Sequence, residues 1–325
     1  MKTKTILLIC FLTLVMVFVM GAGPAPYQDY TLLGFQSAND INNRNQIASS
    51  CSWDGLFLQA CLWRNGELIN LGTLGGNYSH ATAINNSGQV AGYAHIETQP
   101  PPFTHIFHAF LWEDGTMIDL GTFGYHSIAS AINESGQIVG RSSYNPSSVP
   151  THAFLWENGV MTDLGTLGGF TSSASDINNR GQIVGYSFDS QNVSHAVLWE
   201  DGTVIDLGSL GGSISVAYAI NNRGQVVGCS QTAAGLDHAF LWENGVMTDL
   251  SNNEEDRSCA YDINNRGQIV GVINDFAVTW EKGHLVWLAS PADADWTRPD
   301  ALNDRGIIVG DCQQGTSWEA CLWLR

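Results

Sequence analysis

Three aspartates stand at one place in a recurring phrase of this chain. Asp40, Asp176 and Asp262 each lie two residues before the first asparagine of an Asp-Ile-Asn-Asn motif. Carboxylates that a fold gathers can bind a cation, or divide acid and base roles at one bond. Side chains at this position, just before a turn, are also well placed to hydrogen-bond neighbouring backbone, and that is the favoured expectation. Glu254, Glu255 and Asp256 form a second acidic group, and Asp293 and Asp295 a third, with Trp296 beside it. Carboxylates next to an aromatic ring suit a sugar or a cation; a solvated acidic loop is the simpler expectation. Tyr78, Tyr125 and Phe170 follow glycine-rich links and offer stacking surfaces unless they cover the core.

Other residue types narrow the chemistry. His108, His152, His195 and His238 recur at one place, before an apolar strand, where a structural role is expected. No Cys-x-x-Cys or histidine-rich spacing suggests zinc. The segment Gly-Thr-Leu-Gly-Gly lacks the helix start that phosphate binding needs. No nucleophile elbow or dinucleotide fingerprint is present, and no cofactor is implied.

The elements that must position these residues form a repeat. The phrase Ile-Asn-Asn-Arg-Gly-Gln-Ile-Val-Gly recurs with its first asparagine at Asn42, Asn85, Asn133, Asn178, Asn221, Asn264 and Asn303. A second phrase, His-Ala-Phe-Leu-Trp, ends at Trp63, Trp112, Trp156, Trp199, Trp242, Trp280 and Trp323. Seven interleaved copies of each define a unit of about 43 residues, the size of a propeller blade. In the clearest copy, residues 171–178 read as a first strand and residues 178–181 as a turn whose glycine takes a positive φ. Residues 182–187, 195–199 and 203–207 read as three further strands. The third is apolar on both faces, as in a sheet packed between neighbours. The chain from 28 to 325 is therefore expected to be one all-β domain, a seven-bladed β-propeller of four-stranded antiparallel blades.

The two ends fit a ring. Tyr30-Thr31-Leu32-Leu33-Gly34 matches a fourth strand, and Ala320-Cys321-Leu322-Trp323 a third. Pairing them completes the last blade and removes exposed edges. Cys51 and Cys312 occupy matching places, as do Cys61 and Cys321, so Cys51–Cys61 and Cys312–Cys321 are expected as equivalent bridges in the first and last blades. Cys229 and Cys259 fall in adjacent blades, and their pairing is left open.

Residues 1–23 carry a basic start, an apolar run over residues 6–20 and small residues after it, the pattern of a signal peptide, with an uncleaved anchor as the alternative. Export makes disulfides plausible. The formal net charge is −18, and Lys2 and Lys4 would leave with the signal. Such a surface repels nucleic acid and anionic membranes. No apolar run after the signal is long enough to span a bilayer. A monomer is expected.

The phrases at residues 152–169 (His-Ala-Phe-Leu-Trp-Glu-Asn-Gly-Val-Met-Thr-Asp-Leu-Gly-Thr-Leu-Gly-Gly) and 177–185 resemble the HAF-repeat family of bacterial extracellular repeat proteins. The resemblance runs over the whole mature chain. It is specific in the middle copies and weaker in the last two, where the glycine link becomes Leu250-Ser251-Asn252-Asn253 and Leu288-Ala289-Ser290-Pro291. It implies an extracellular location and no particular chemistry.

Strand order makes the two faces of such a ring unequal. The short turns within blades share one face and barely vary. The loops between second and third strands and the links between blades share the other. They vary widely: residues 95–106, 144–150, 188–194, 231–237, 252–258 and 291–297. Recognition concentrates on variable loops held by a rigid scaffold. The leading expectation is a secreted or cell-surface module that binds an extracellular glycan or protein through that face. The alternative is a carbohydrate-active hydrolase or lyase using the channel carboxylates.

Overall fold

The computed structural model describes residues 27, 29–53, 55–96, 106–146, 150–251, 253–291, 294–314 and 317–324. The signal segment, residues 1–23, lies outside them. The described chain is all β, in seven four-stranded antiparallel sheets arranged as a seven-bladed propeller. Blade 4 shows the plan: β14 (Gly168–Ile177), β15 (Ile183–Asp189), β16 (Ser194–Glu200) and β17 (Thr203–Asp206) run from the axis outward. We call the four strands of any blade first to fourth, in that order.

The last blade is completed by the start of the chain. β1 (Asp29–Leu32) pairs antiparallel with β28 (Ser317–Leu324), and β27 (Ile308–Gln314) and β26 (Ala294–Leu302) follow inward. Tyr27, buried just before β1, donates its hydroxyl to the carbonyl of Gly306 at 2.9 Å. The closing strand is thus fastened to the innermost turn of the blade it completes.

Apolar side chains fill each interface between blades. Leu62 and Ala48 of blade 1 meet Ile84, Val90 and Phe110 of blade 2, and six further clusters repeat this around the ring. Phe110, Phe154 and Phe240 are fully buried. Burying each such ring is worth about 1.5–3 kcal/mol, so neither face of a blade is a free surface.

The glycine of the Ile-Val-Gly phrase has a steric cause. Each first strand from blade 2 onward carries a bulge opposite it, for example between Ala174 and Asp176. The bulge pushes backbone toward the second strand, and a Cβ on Gly185 would lie 2.1 Å from the Ser173 carbonyl oxygen. Blade 1 has Ser49 there, and its first strand pairs over only Asp40–Ile41.

Candidate functional site

The asparagines that mark each turn do more than turn the chain. Asn178 Oδ1 accepts the N–H groups of Arg180 and Gln182, which holds the loop. Its Nδ2 donates to the carbonyl of Asn221 in the next blade at 3.1 Å. The same bond links Asn42 to Asn85, Asn85 to Asn133, Asn133 to Asn178, Asn221 to Asn264, Asn264 to Asn303, and Asn303 back to Asn42. A second circle runs one residue on. The backbone N–H of Asn43 donates to the side chain of Asn86, and so on through Glu134, Asn179, Asn222, Asn265 and Asp304, which donates back to Asn43. The sequence reading of these residues as turn formers misses both circles, because a turn signal and an inter-blade tie use the same residue type.

Within the mouth that these circles frame lie Asp40, Asp176 and Asp262, lining one cavity of about 320 Å³. The structure therefore brings the three aspartates to a common space. Each joins two blades. Asp40 accepts the N–H of Ile41 with Oδ1 and that of Ile84, in the next blade, with Oδ2, both at 2.7 Å. Asp176 does the same for Ile177 and Ile220, and Asp262 for Ile263 and Leu302. Each oxygen is committed to a backbone donor, so the geometry is that of a clamp rather than a free acid–base pair. Burial raises the Asp40 carboxyl to about 7 and that of Asp176 to about 6, against the lowering effect of the two N–H bonds. Asp262, buried likewise and facing the charges of Asp176 and Asp40, is raised well above the ordinary range.

The other sequence candidates scatter. Glu254 and Glu255 are exposed on their link, and Asp256 accepts Nδ2 of Asn274 at 2.7 Å. Asp293 lies outside the described residues, and so does the side chain of Asp295. Tyr78 is half-buried in a ring cluster with Tyr93, His95 and Phe107, which identifies it as cover for the core. Tyr125 is half-buried edge-on against His126 at 4.3 Å. Phe170 alone of these three stands in solvent, 74% exposed.

The recurring histidines are separate pairs, not one site. His108, His152, His195 and His238 bond Asp119, Asp163, Asp206 and Asp249 of their own blades at 2.8–3.1 Å. No group of three metal-ligating side chains occurs among the described residues. The serines that stand six residues before the turn asparagine in five blades (Ser79, Ser127, Ser172, Ser215 and Ser258) also have a task. Ser172 Oγ accepts the N–H of Ala153 from the preceding blade and donates to the Gly165 carbonyl. Cys51–Cys61 and Cys312–Cys321 form the two bridges of the seam, and Cys229–Cys259 joins blades 5 and 6.

Sequence reasoning found Trp296 but not its partners. On the variable-loop face, the Trp296 and Trp318 rings meet edge to face, 5.1 Å apart, and Trp318 is 46% exposed. The Arg298 guanidinium lies 5.5 Å from the Trp296 ring and 5.8 Å from that of Tyr261, which in turn lies 5.7 Å from Tyr218. Arg298 also bonds Asp300. Burial raises the carboxyls of Asp300 and Asp311 despite that guanidinium. Other copies carry varied residues at these places, such as Phe35, Tyr78 or Thr171 for Trp296 and Ser37, His80 or Val216 for Arg298, a divergence the sequence shows without showing that it converges.

No family model and no curated protein matches this sequence. Solved structures do match in fold. The β-propeller domain of the Trilobed protease from Pyrococcus furiosus superposes with a TM-score of 0.60 at 12% identity, over 89% of this chain and 95% of that one. Pyrococcus horikoshii acylaminoacyl peptidase gives 0.57 at 12% identity, over 90% of this chain and 52% of that one. Puromycin hydrolase gives 0.56 at 14%, over 88% and 51%. The chain spans about half the length of these two enzymes, and identity this low shows the fold alone. The Pyrococcus furiosus domain is described as having an open velcro topology; here β1 pairs with β28.

Proposed function

We propose that this chain is an exported binding module of the HAF-repeat type that recognises a glycan through its variable-loop face. The observation that carries the reading is the Trp296–Trp318 pair, with a guanidinium against one ring and the other ring in solvent. An exposed ring beside polar groups suits the apolar face and hydroxyl edge of a sugar. Phe170 adds an exposed ring on the same face. Export is supported by the apolar run near the start and by three disulfides; among the described residues no helix is long and apolar enough to cross a membrane. The test is a glycan array probed with the mature chain and with Trp318→Ala. Binding of at least one glycan class by the wild type, weakened tenfold or more by the substitution, supports the reading. Equal binding by both, or none by either, overturns it.

A further inference from the structure

A cavity of about 620 Å³ lies on the opposite face, between blades 1 and 2. Its walls are Arg44, Gln46 and Arg64 from blade 1, and Ser87, Gln89 and Trp112 to Gly115 from blade 2. This is the face of short turns, where the repeat is most uniform, so the departures from the repeat there stand out.

Two departures meet in this groove. The residue after the repeat tryptophan is glutamate in five blades (Glu113, Glu157, Glu200, Glu243 and Glu281) but Arg64 in blade 1. In four of those five the glutamate accepts the turn glutamine of its own blade, as Glu113 accepts Gln89 at 2.9 Å. In blade 1 the turn glutamine, Gln46, has no such glutamate, because Arg64 stands in its place. The second departure is Ser87, where five copies have arginine. In blade 5 that arginine, Arg223, lies over the turn of the next blade, with Nη2 only 2.4 Å from where a Cβ on Gly267 would be. Beside the matching Gly88, the nearest side chain is Gln46 and not Arg44. Arg44 therefore stays at the groove wall, with the small Ser87 on the facing side.

The charge pattern names the ligand. In a chain of net charge −18, Arg44 and Arg64 line one wall, and among the described residues neither guanidinium is in an ion pair. The facing wall offers the half-buried Trp112, with the Gln89–Glu113 pair and the carboxylate of Asp114 as hydrogen-bonding groups, so cationic and anionic groups stand on opposite walls. Guanidinium forks fit a carboxylate, an aromatic face fits a pyranose ring, and glutamate and glutamine accept and donate to hydroxyls. The volume falls within the usual range for a site of this kind. We propose that this groove is a second binding site, for a carboxylated sugar of the uronic-acid type. The inference does not depend on the Trp296–Trp318 pair of the other face.

The experiment is calorimetric titration of the mature chain with trigalacturonate, with its neutral trigalactose counterpart and with free glutamate. Arg64→Glu restores the repeat residue and so preserves the fold; Arg44→Ser removes the second guanidinium and installs the residue that blades 2 and 3 carry at that place, Ser87 and Ser135. Expected are binding of trigalacturonate that weakens with salt, at least tenfold loss in both variants, no comparable binding of trigalactose, and no change in Trp318→Ala. Equal binding of the neutral trimer, unchanged binding in Arg64→Glu, or no binding at all overturns the site. Glutamate binding in place of trigalacturonate overturns the assignment of a sugar. Loss in Trp318→Ala but not Arg64→Glu would instead locate the ligand on the other face.

Discussion

Asn303 donates its side-chain amide to the carbonyl of Asn42 at 3.1 Å, joining residues 261 positions apart. Blade 7 has Ile307 where other blades carry the turn glutamine, and Asn45 of blade 1 supplies the missing acceptor at 3.2 Å. Asn45 takes a left-handed φ of 61° in a place that is glycine in the other copies. The seam is thus sealed by a bond of the same kind as every other junction, with one local substitution in its support.

If these amides tie the ring together, removing one donor is costly while keeping the turn is possible. Asn178→Asp retains the oxygen that accepts Arg180 and Gln182 but loses the bonds that Nδ2 donates to the Asn221 carbonyl and to Gln182 Oε1. A buried acceptor left unmatched costs about 1–3 kcal/mol. Urea unfolding is expected to show that loss, and Asn178→Ala a larger one.

The Ile-Val-Gly glycine is expected to be intolerant for a reason unrelated to turns. In Gly185→Ala the new methyl must displace the Ser173 carbonyl across a bulge, and overpacking of this kind costs about 1–3 kcal/mol. Ser49→Gly in blade 1, where the pairing is already short, is expected to change stability far less. Thermal melts of the two variants check the contrast.

The buried acids give stability a defined dependence on pH. Asp40, Asp176, Asp262, Asp300 and Asp311 are all raised in the folded state, mainly by burial. The folded chain then holds protons that the unfolded chain has released, so stability falls as pH rises from about 4 to about 7. Burial lowers His80 to about 4 and also lowers His126, which opposes this over part of that window. Asp119 and Asp163, lowered on balance by their histidine and backbone partners although burial alone would raise them, contribute stability that is lost as pH drops below the carboxylate range. Five groups against two predict a melting temperature higher near pH 5 than near pH 7.5. Asp40→Asn is expected to flatten that slope, by at most about 1.4 kcal/mol per pH unit. A melting temperature that climbs steadily from pH 4 to 7.5 would exclude this account.

The bridge Cys229–Cys259 spans 30 residues and two blades, whereas the seam bridges span 10 and 9 within one blade each. Chain-entropy reasoning gives the longer loop the greater effect, within the usual range of about 2–4 kcal/mol. Cys229→Ala with Cys259→Ala is expected to lower stability more than the paired alanine substitutions at Cys51 and Cys61. Denaturant midpoints of the two double variants decide it.

The repeat phrases made the ring legible, and so was its closure, because the spare strand near Tyr30 and the missing one after Trp323 are visible as text. Matching positions made the two seam bridges legible as well. Cys229 and Cys259 were not, since an inter-blade pair has no counterpart elsewhere in the repeat. The candidate sites were legible only as residue types. Asp176 reads as a backbone acceptor before it reads as a channel acid, but that its second acceptor bond crosses to the next blade depends on where the N–H of Ile220, 44 residues away, comes to lie. Trp318, Arg298 and Arg64 are departures from the repeat, and a departure shows its partners only when the blades are wound around an axis.

The aspartate clamps also carry a consequence of parity. Each covers two neighbouring blades, and three of them cover six. A seventh blade cannot be tiled by pairs: Ile132 has alanine at both places from which a carboxylate would reach it, Ala83 and Ala131. The ring is therefore frustrated in the sense of an odd cycle, with blade 3 left outside every clamp. A designed relative with six or eight blades could alternate aspartate and alanine without defect, and the natural one keeps a fixed point from which its other blades can be numbered.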